Sequence, residues 1–172
     1  MPVPHASNEG AHPMVALKTP ATPLVLRDED VRQAIELLFF AYRDFTARAD
    51  ALLARKGFGR AHHRVLYFVG QYPGLSVSQL LDILGITKQS LSRVLSQLVR
   101  EGYIAQKPGE TDRRQRLLHL TEKGSGLEQE LTSEQRLRVA AAYRDAGGDS
   151  VDGFRKVMLG VMDPDVRARF GN

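Results

Sequence analysis

The sequence predicts a mainly α-helical fold with one small β-hairpin, and three observations support this prediction. Apolar residues recur at helical spacing on both sides of a central stretch, residues 76–121. Within that stretch, a glycine-containing turn separates two short helical segments. A basic segment follows, with turn residues between two alternating runs. Together the patterns predict two helices joined by a tight turn, then a hairpin, with longer helices on either side.

The composition favours a single domain, or one small module with helical extensions. The chain has 172 residues, 42% of them hydrophobic, which suffices for one packed core. It has no cysteine, which excludes disulfides, thiolate metal sites and cysteine-based redox sensing and fits a cytoplasmic protein. No apolar run approaches the roughly 20 residues that a membrane span requires, and the start lacks a secretory signal pattern. We therefore expect no membrane association.

The basic charge is concentrated in one part of the chain. Between Thr87 and Lys123 there are eight basic and four acidic residues, which account for the whole formal net charge of +4. Such a concentration favours a polyanionic partner. An ordinary solvated surface is the alternative that charge alone leaves open.

The amino-terminal part is predicted to be an arm followed by a helix. Residues 1–26 contain five of the eight prolines and show no periodicity, which is typical of a flexible arm. A helix should begin near residues 28–30, where acidic side chains precede an apolar run. Its apolar residues occupy more than one side, so we predict that residues 27–57 form a dimerisation helix. The alternative is a helix buried on both sides within one chain.

A second helix is predicted after the stop at residues 56–59, and residues 72–74 should end it. His62 and His63 lie near its start. Consecutive helical residues point about 100° apart, so these two cannot share a metal as an i, i+4 pair can. We therefore predict no metal site here.

The next two helices form the predicted helix-turn-helix. Ser76 and Gln79 match a capping box, Gly85 should stop the first helix, and Thr87 should cap the second. Two helices joined by so short a turn are the signature of that motif.

The second helix of the motif divides into an apolar and a polar side at 100° per residue. The apolar side comprises Leu91, Val94, Leu95, Leu98 and Val99, and the polar side comprises Gln89, Arg93, Ser96 and Arg100. A helix that enters the major groove of DNA by its amino-terminal end needs such polar groups, although an ordinary solvent-facing helix looks similar. The predicted DNA-binding residues here are Ser76, Thr87, Lys88, Gln89, Ser90, Ser92 and Arg93.

A basic hairpin completes the predicted DNA-binding module, residues 58–121. Residues 103–107 and 115–121 should pair around a loop at residues 108–112. Such a wing can insert an arginine into a narrow minor groove. The predicted contacts are Arg113, Arg114 and Arg116, with Asp112 orienting a neighbouring arginine through a charge-assisted hydrogen bond. These features together predict a winged helix-turn-helix.

The remaining residues, 122–172, are predicted to be carboxy-terminal dimerisation helices. Thr121 should cap the first of them, residues 147–150 should break it, and Pro164 should end the second. Packing with the amino-terminal helix across a two-fold axis would cover their apolar faces.

Over roughly residues 30–163 the chain resembles the MarR-type bacterial winged-helix regulators. The resemblance is carried by ITKQSLSRVLSQLVREGYI and by DRRQRLLHLTEKG, and GFGRAHHRVLYFV resembles the PetP-like branch. It implies that Arg114 is the minor-groove arginine, with Arg113 a second candidate, and that the recognition helix begins at Thr87. It also implies an obligate homodimer and, as in many members, release of DNA when a small-molecule effector binds between the dimerisation and DNA-binding regions.

The sequence therefore predicts a dimeric, sequence-specific transcriptional regulator that binds a pseudo-palindromic operator in double-stranded DNA. The alternative is a winged-helix adaptor that binds an acidic protein partner. No enzymatic activity, cofactor or metal is predicted, because the common nucleotide-binding, hydrolase and metalloprotease motifs are absent from the sequence. Five aromatic residues could line an effector pocket, but their helical spacing favours core packing; these are Phe39, Phe40, Tyr42, Phe68 and Tyr72.

Overall fold

A computed structural model describes residues 25–170, so the predicted arm lies outside the described residues except at its end. The helices are α1 (Asp28–Ala54), α2 (Arg60–Gln71), α3 (Val77–Leu84), α4 (Lys88–Arg100), α5 (Glu122–Ala146), α6 (Gly148–Val161) and α7 (Pro164–Arg167), and a 3-10 turn (Ala168–Phe170) follows. The strands are β1 (Leu75–Ser76), β2 (Ile104–Pro108) and β3 (Arg116–Leu120). The fold is mainly helical with a small sheet, as predicted.

Contacts divide the described chain into two units, one ending at Glu36 and one beginning at Leu37. In the first unit, α1 begins at the predicted acidic cluster. The Asp30 carboxylate accepts hydrogen bonds from the Arg27 side chain at 2.9 and 3.1 Å and from its backbone amide at 3.2 Å. These hydrogen bonds, chiefly those of the guanidinium, lower the pKa of Asp30.

The starts of α3, α4 and α5 are set by side-chain caps. Ser76 Oγ accepts from the Gln79 amide at 3.2 Å, and Gln79 Oε1 accepts from the Ser76 amide at 2.9 Å. Thr87 Oγ1 accepts from the Ser90 amide at 3.2 Å, and Thr121 caps α5 in the same way. Each cap satisfies a helix amide that would otherwise lack a partner. The three caps predicted from the sequence are confirmed.

The hydrophobic core lies within the helix-turn-helix and its surroundings. Its fully buried members come from α1 to α4 and from the sheet; they include Leu53, Val65, Leu66, Val69, Leu80, Leu91, Leu98, Ile104 and Leu118. Full burial of one such side chain stabilises the fold by about 1.5–3 kcal/mol. This core fixes α4 against α2 and against the sheet.

The sheet has three antiparallel strands in the order β1-β3-β2. Leu75 pairs with Leu118, and Ile104 pairs with Leu120. The sequence predicted only the hairpin of β2 and β3, because a strand of two residues is too short to show alternation. The predicted loop also starts one residue early, since Pro108 still pairs with Arg116 at the end of β2.

The carboxy-terminal region differs from the prediction at two points. The break between α5 and α6 is confined to Gly147, whose φ of +80° favours glycine, and α6 begins at once at Gly148. Pro164 does not simply end the helical region, because it stands at the first position of α7. Proline is favoured there since its fixed φ suits a helix start.

Apolar side chains remain exposed along α1, α5 and α6. In the second unit they include Leu37, Leu38, Phe39, Phe40, Leu137, Phe154, Val157 and Val161. The alternative that α1 is buried on both sides within one chain is therefore wrong for the described structure. None of the helices within residues 25–170 is long and apolar enough to cross a membrane.

Candidate nucleic-acid interface

The outer face of α4 is polar and exposed along its length. Its apolar side faces the core, where Leu91 and Leu98 are buried and Val94 is 9% exposed. The opposite side places the predicted residues in solvent; they are Lys88, Gln89, Ser90, Ser92 and Arg93. The division predicted from helical spacing is confirmed, and α4 presents hydrogen-bonding groups and positive charge without large apolar groups.

Two predicted contact residues serve first as structural anchors at the start of α4. The Thr87 hydroxyl accepts from the Ser90 amide at 3.2 Å and lies 2.9 Å from Ser90 Oγ, to which it donates. Ser76 is engaged in the cap of α3 in a similar way. Because these hydroxyls are held by local bonds, the freer polar groups at this end are those of Lys88 and Gln89.

The wing, residues 104–120, carries the predicted arginines on and beside its loop. Asp112 Oδ1 accepts from the backbone amide of Arg114 at 2.9 Å, and the Asp112 carbonyl accepts from the Gln115 amide at 3.0 Å. Asp112 therefore orients the neighbouring Arg114 through a charge-assisted hydrogen bond, which it makes to the backbone amide. The reason is local, because a short carboxylate reaches the amide two residues ahead most easily.

The arginine side chains of the wing have no acidic partner within the described residues. Within residues 25–170, no salt bridge or side-chain hydrogen bond involves the guanidinium of Arg113, Arg114 or Arg116. Arg93 on α4 is likewise unpaired in that part of the chain. The structure thus keeps the two basic surfaces free to contact an external anion.

Several contacts fix the base of the wing to the start of α5. The Lys123 ammonium donates to the Glu101 carbonyl at 2.8 Å and lies 4.2 Å from the centre of the Tyr103 ring. Gly124 packs so closely that an added Cβ would lie 2.0 Å from the Tyr103 carbonyl oxygen. These contacts hold the start of α5 against the residues that precede β2.

A cavity of about 600 Å³ lies between α1, α2 and α5 and is called here the interhelical cavity. Its lining includes Tyr42, Asp50, Arg60, His63, Arg64, Tyr67, Thr132 and Arg136. Asp50 accepts from Arg60 at 2.8 Å, and burial is the main cause that lowers the pKa of His63. Of the five aromatic residues that the sequence suggests for an effector pocket or for the core, only Tyr42 lines this cavity.

The sequence did not identify most of this lining, because its residues come from three separate helices. Arg64 and Tyr67 lie on the side of α2 away from the core, a position that helical spacing alone reads as solvent-exposed. Searched over residues 25–170, the structure has no cluster of three or more His, Asp or Glu residues able to hold a metal ion.

Comparison with known proteins gives consistent results. Residues 56–115 match the model of the MarR family. The chain is 50% identical over 149 residues to the HTH-type transcriptional regulator PetP of Rhodobacter capsulatus, an alignment that spans 87% of this chain and 90% of that protein. It is 32% identical over 76 residues to the transcriptional activatory protein BadR of Rhodopseudomonas palustris, across 44% of this chain and 42% of that one.

Solved structures share the fold. FabT of Streptococcus pneumoniae, solved in complex with DNA, superposes with a TM-score of 0.67 at 21% identity. The superposition covers 77% of this chain and 94% of that one. At this identity the likeness concerns the winged-helix architecture alone.

Proposed function

The chain belongs to the MarR family of transcriptional regulators, and we propose that it binds a pseudo-palindromic operator in double-stranded DNA as a homodimer. The observation that carries this proposal is the exposed polar face of α4 next to a wing whose arginines lack acidic partners in the described chain. Helix α4 would enter the major groove, and the wing would lie over the adjacent minor groove.

The contact residues divide by role. Gln89 and Arg93 have the donors needed to read base edges, and Lys88 and Ser92 suit phosphate oxygens. Arg114 is the proposed minor-groove residue, with Arg113 and Arg116 beside it on the backbone. The remaining predicted residues act mainly by holding the helix starts; they are Ser76, Thr87, Ser90 and, in the wing, Asp112.

A second copy of the chain would cover the exposed apolar helices. A groove of about 730 Å³ between α1, α5 and α6 is lined almost wholly by apolar groups, among them Leu38, Val139, Phe154 and Met158. A two-fold interface is self-complementary, so the same groove would be filled twice. Such a dimer places two recognition helices about 34–36 Å apart, one turn of DNA, which explains the expected symmetry of the operator.

The interhelical cavity suits a small aromatic carboxylate as an effector. It offers guanidinium groups of Arg64 and Arg136 for a carboxylate and the rings of Tyr42 and Tyr67 for an aromatic body. It lies where the dimerisation helices α1 and α5 meet α2 of the DNA-binding module. A ligand that binds there with different affinity in the DNA-bound and free states would shift operator affinity by that difference.

The adaptor alternative uses the same basic surface for an acidic polypeptide. The relatives that match the chain are named as transcriptional regulators, which favours DNA. Because such a regulator must reach the bacterial chromosome, we place its action in the cytoplasm.

Selection of bound sequences from random duplexes by the purified protein tests this function. We expect enrichment of a pseudo-palindromic sequence, two protomers per duplex and binding that weakens steeply with salt, since phosphate contacts release counterions. Titration with polyglutamate separates the two partners. If no duplex sequence is enriched and polyglutamate binds more tightly than duplex DNA, the adaptor function is favoured and the regulator function is rejected.

A further inference from the structure

We infer that His62 of α2 is a positioning residue for DNA recognition, which it supports by holding the carboxy-terminal end of α4 through Gln97. The inference rests on the proposed function, in which α4 reads the operator. His62 and Gln97 are 35 residues apart in sequence, and both are half-buried.

Hydrogen bonds define the tautomer of the His62 ring. The Gly59 backbone amide, which can only donate, lies 3.1 Å from His62 Nδ1, so this nitrogen carries a lone pair. The proton of the neutral ring is then on Nε2, which lies 3.0 Å from Gln97 Oε1. His62 therefore accepts from the start of its own helix and donates to α4.

The orientation of Gln97 is fixed from its other side. Its amide nitrogen donates to Glu101 Oε1 at 3.0 Å, so its oxygen must face His62. A flipped amide would bring its NH2 group against the Nε2 proton of His62 and its oxygen against a carboxylate. The chain of bonds from Gly59 through His62 and Gln97 to Glu101 consequently has a single favourable direction.

The aromatic contacts hold the His62 ring in that position. The ring stacks on Phe58 with a centroid distance of 4.7 Å and an interplanar angle of 13°. Phe58 is 6% exposed and meets Tyr103 edge to face at 5.3 Å. The ring of His62 thus cannot rotate away without disturbing a buried aromatic pair at the base of the wing.

A directional contact at this point matters because, within residues 25–170, no other side-chain hydrogen bond joins α2 to α4. Apolar packing resists separation but is non-directional, whereas a hydrogen bond also constrains rotation. Gln97 stands nine positions after Lys88, a helical length of about 13 Å. A rotation of about 5° around Gln97 would move Lys88 by about 1 Å, which exceeds the roughly 0.5 Å tolerance of a preorganised site.

The test compares variants that keep or lose one bond each. His62→Asn places a polar atom near Nδ1 and keeps the bond to Gly59, but it is too short to reach Gln97. His62→Gln extends to the position of Nε2 and keeps a donor for Gln97. Gln97→Met removes the bridge from the other side and keeps the length of the side chain.

The measured quantity is the dissociation constant for the duplex that the wild-type protein selects, at a temperature where every variant is folded. We expect His62→Asn and Gln97→Met each to weaken binding about fivefold, the factor that corresponds to one ordinary hydrogen bond. The double variant should be no weaker than either single one, because both changes remove the same interaction. His62→Gln should bind within about twofold of wild type.

Leu53→Val in α1 is the matched control, since it should lower the unfolding midpoint by loosening the core while both partners of the His62–Gln97 bond remain. We expect it to leave the dissociation constant unchanged. Wild-type affinity in both His62→Asn and Gln97→Met, or losses that simply add in the double variant, would overturn the positioning role while leaving the proposed function intact. Failure of the wild-type protein to bind any duplex would overturn both.

Discussion

The DNA-binding module and the helices around it differ in how far their apolar side chains are buried within one chain. In the module, Leu98 and Leu118 are 0% exposed and every predicted cap is formed. On the flanking helices, Leu37 is 64% and Val161 is 65% exposed in the single chain. The core around the module is thus complete within one chain, with Leu53 of α1 and Leu131 of α5 contributing to it, whereas the outer faces of the flanking helices need another surface to cover them.

This difference separates two kinds of stability. Burial of apolar side chains in the module stabilises a single chain, and this stabilisation does not depend on protein concentration. The outer faces of the flanking helices are buried only on association, so the stability of these helices should rise with protein concentration. Changes in the two regions should consequently be detected by different measurements.

The largest effect should come from a charge in the apolar groove. Met158→Asp on α6 should separate the protomers, because Met158 lines the groove and an unpaired carboxylate cannot be buried without a large cost. A single protomer reads one half-site, so operator affinity should fall by at least about a hundredfold, the gain usual for two linked sites. Sedimentation and DNA titration measure the two consequences. Lys156→Asp, on the opposite side of α6, is the control, and a dimeric Met158→Asp protein would show that the groove is not the interface.

A smaller effect is expected inside the module, at the contact between α5 and the wing. Gly124→Ala should lower the free energy of unfolding by about 2–3 kcal/mol, because its methyl group would overlap the Tyr103 carbonyl oxygen. Gly126→Ala, two residues along the same helix, meets no atom within 4 Å and should raise stability slightly. Urea unfolding measures both. Equal stability of the two variants would mean that α5 is not packed closely against the wing.

The exposed face of α4 and the wing should differ in their effect on the sequence specificity of DNA binding. Arg93→Ala should lower affinity for the selected operator about tenfold and reduce discrimination between bases. Arg114→Ala should weaken all A·T-rich duplexes to a similar extent and reduce the salt slope by about one. Arg144→Ala, on exposed α5, is the control. Identical profiles for the first two variants would argue against a division between groove-reading helix and wing.

The smallest effect concerns pH and His63. Burial, opposed by Glu128 and Asp50, lowers the pKa of His63 below its ordinary value of 6.5. The neutral ring therefore contributes stability that is fully present above pH 6.5 and lost as the pH falls through the folded-state pKa. His63→Gln should flatten the decline of unfolding free energy between neutral and mildly acidic pH. If the decline is unchanged in that variant, ionisable groups other than His63 cause the loss of stability.

Particular residues show why prediction succeeded in some places and failed in others. The capping roles of Ser76 and Thr87 depend on neighbours three positions away, so the sequence contains all the information needed. The sequence predicts that Asp112 orients a neighbouring arginine, but only the structure shows that its hydrogen bond is to the backbone amide of Arg114. The strand Leu75–Ser76 was missed because only its pairing with β3 makes it a strand.

The succession of neighbouring residues in the sequence thus determined where the helices start, which side of α4 is polar and where the positive charge lies. These features depend on helical spacing and on short-range hydrogen bonds, which involve residues a few positions apart. Only the tertiary structure decided that His62 meets Gln97, that residues of three helices line one cavity, and that the apolar side chains of α1 and α6 stay uncovered in a single chain. Those contacts join residues far apart in sequence, and their partners are chosen by the packing of the whole core and not by any local pattern.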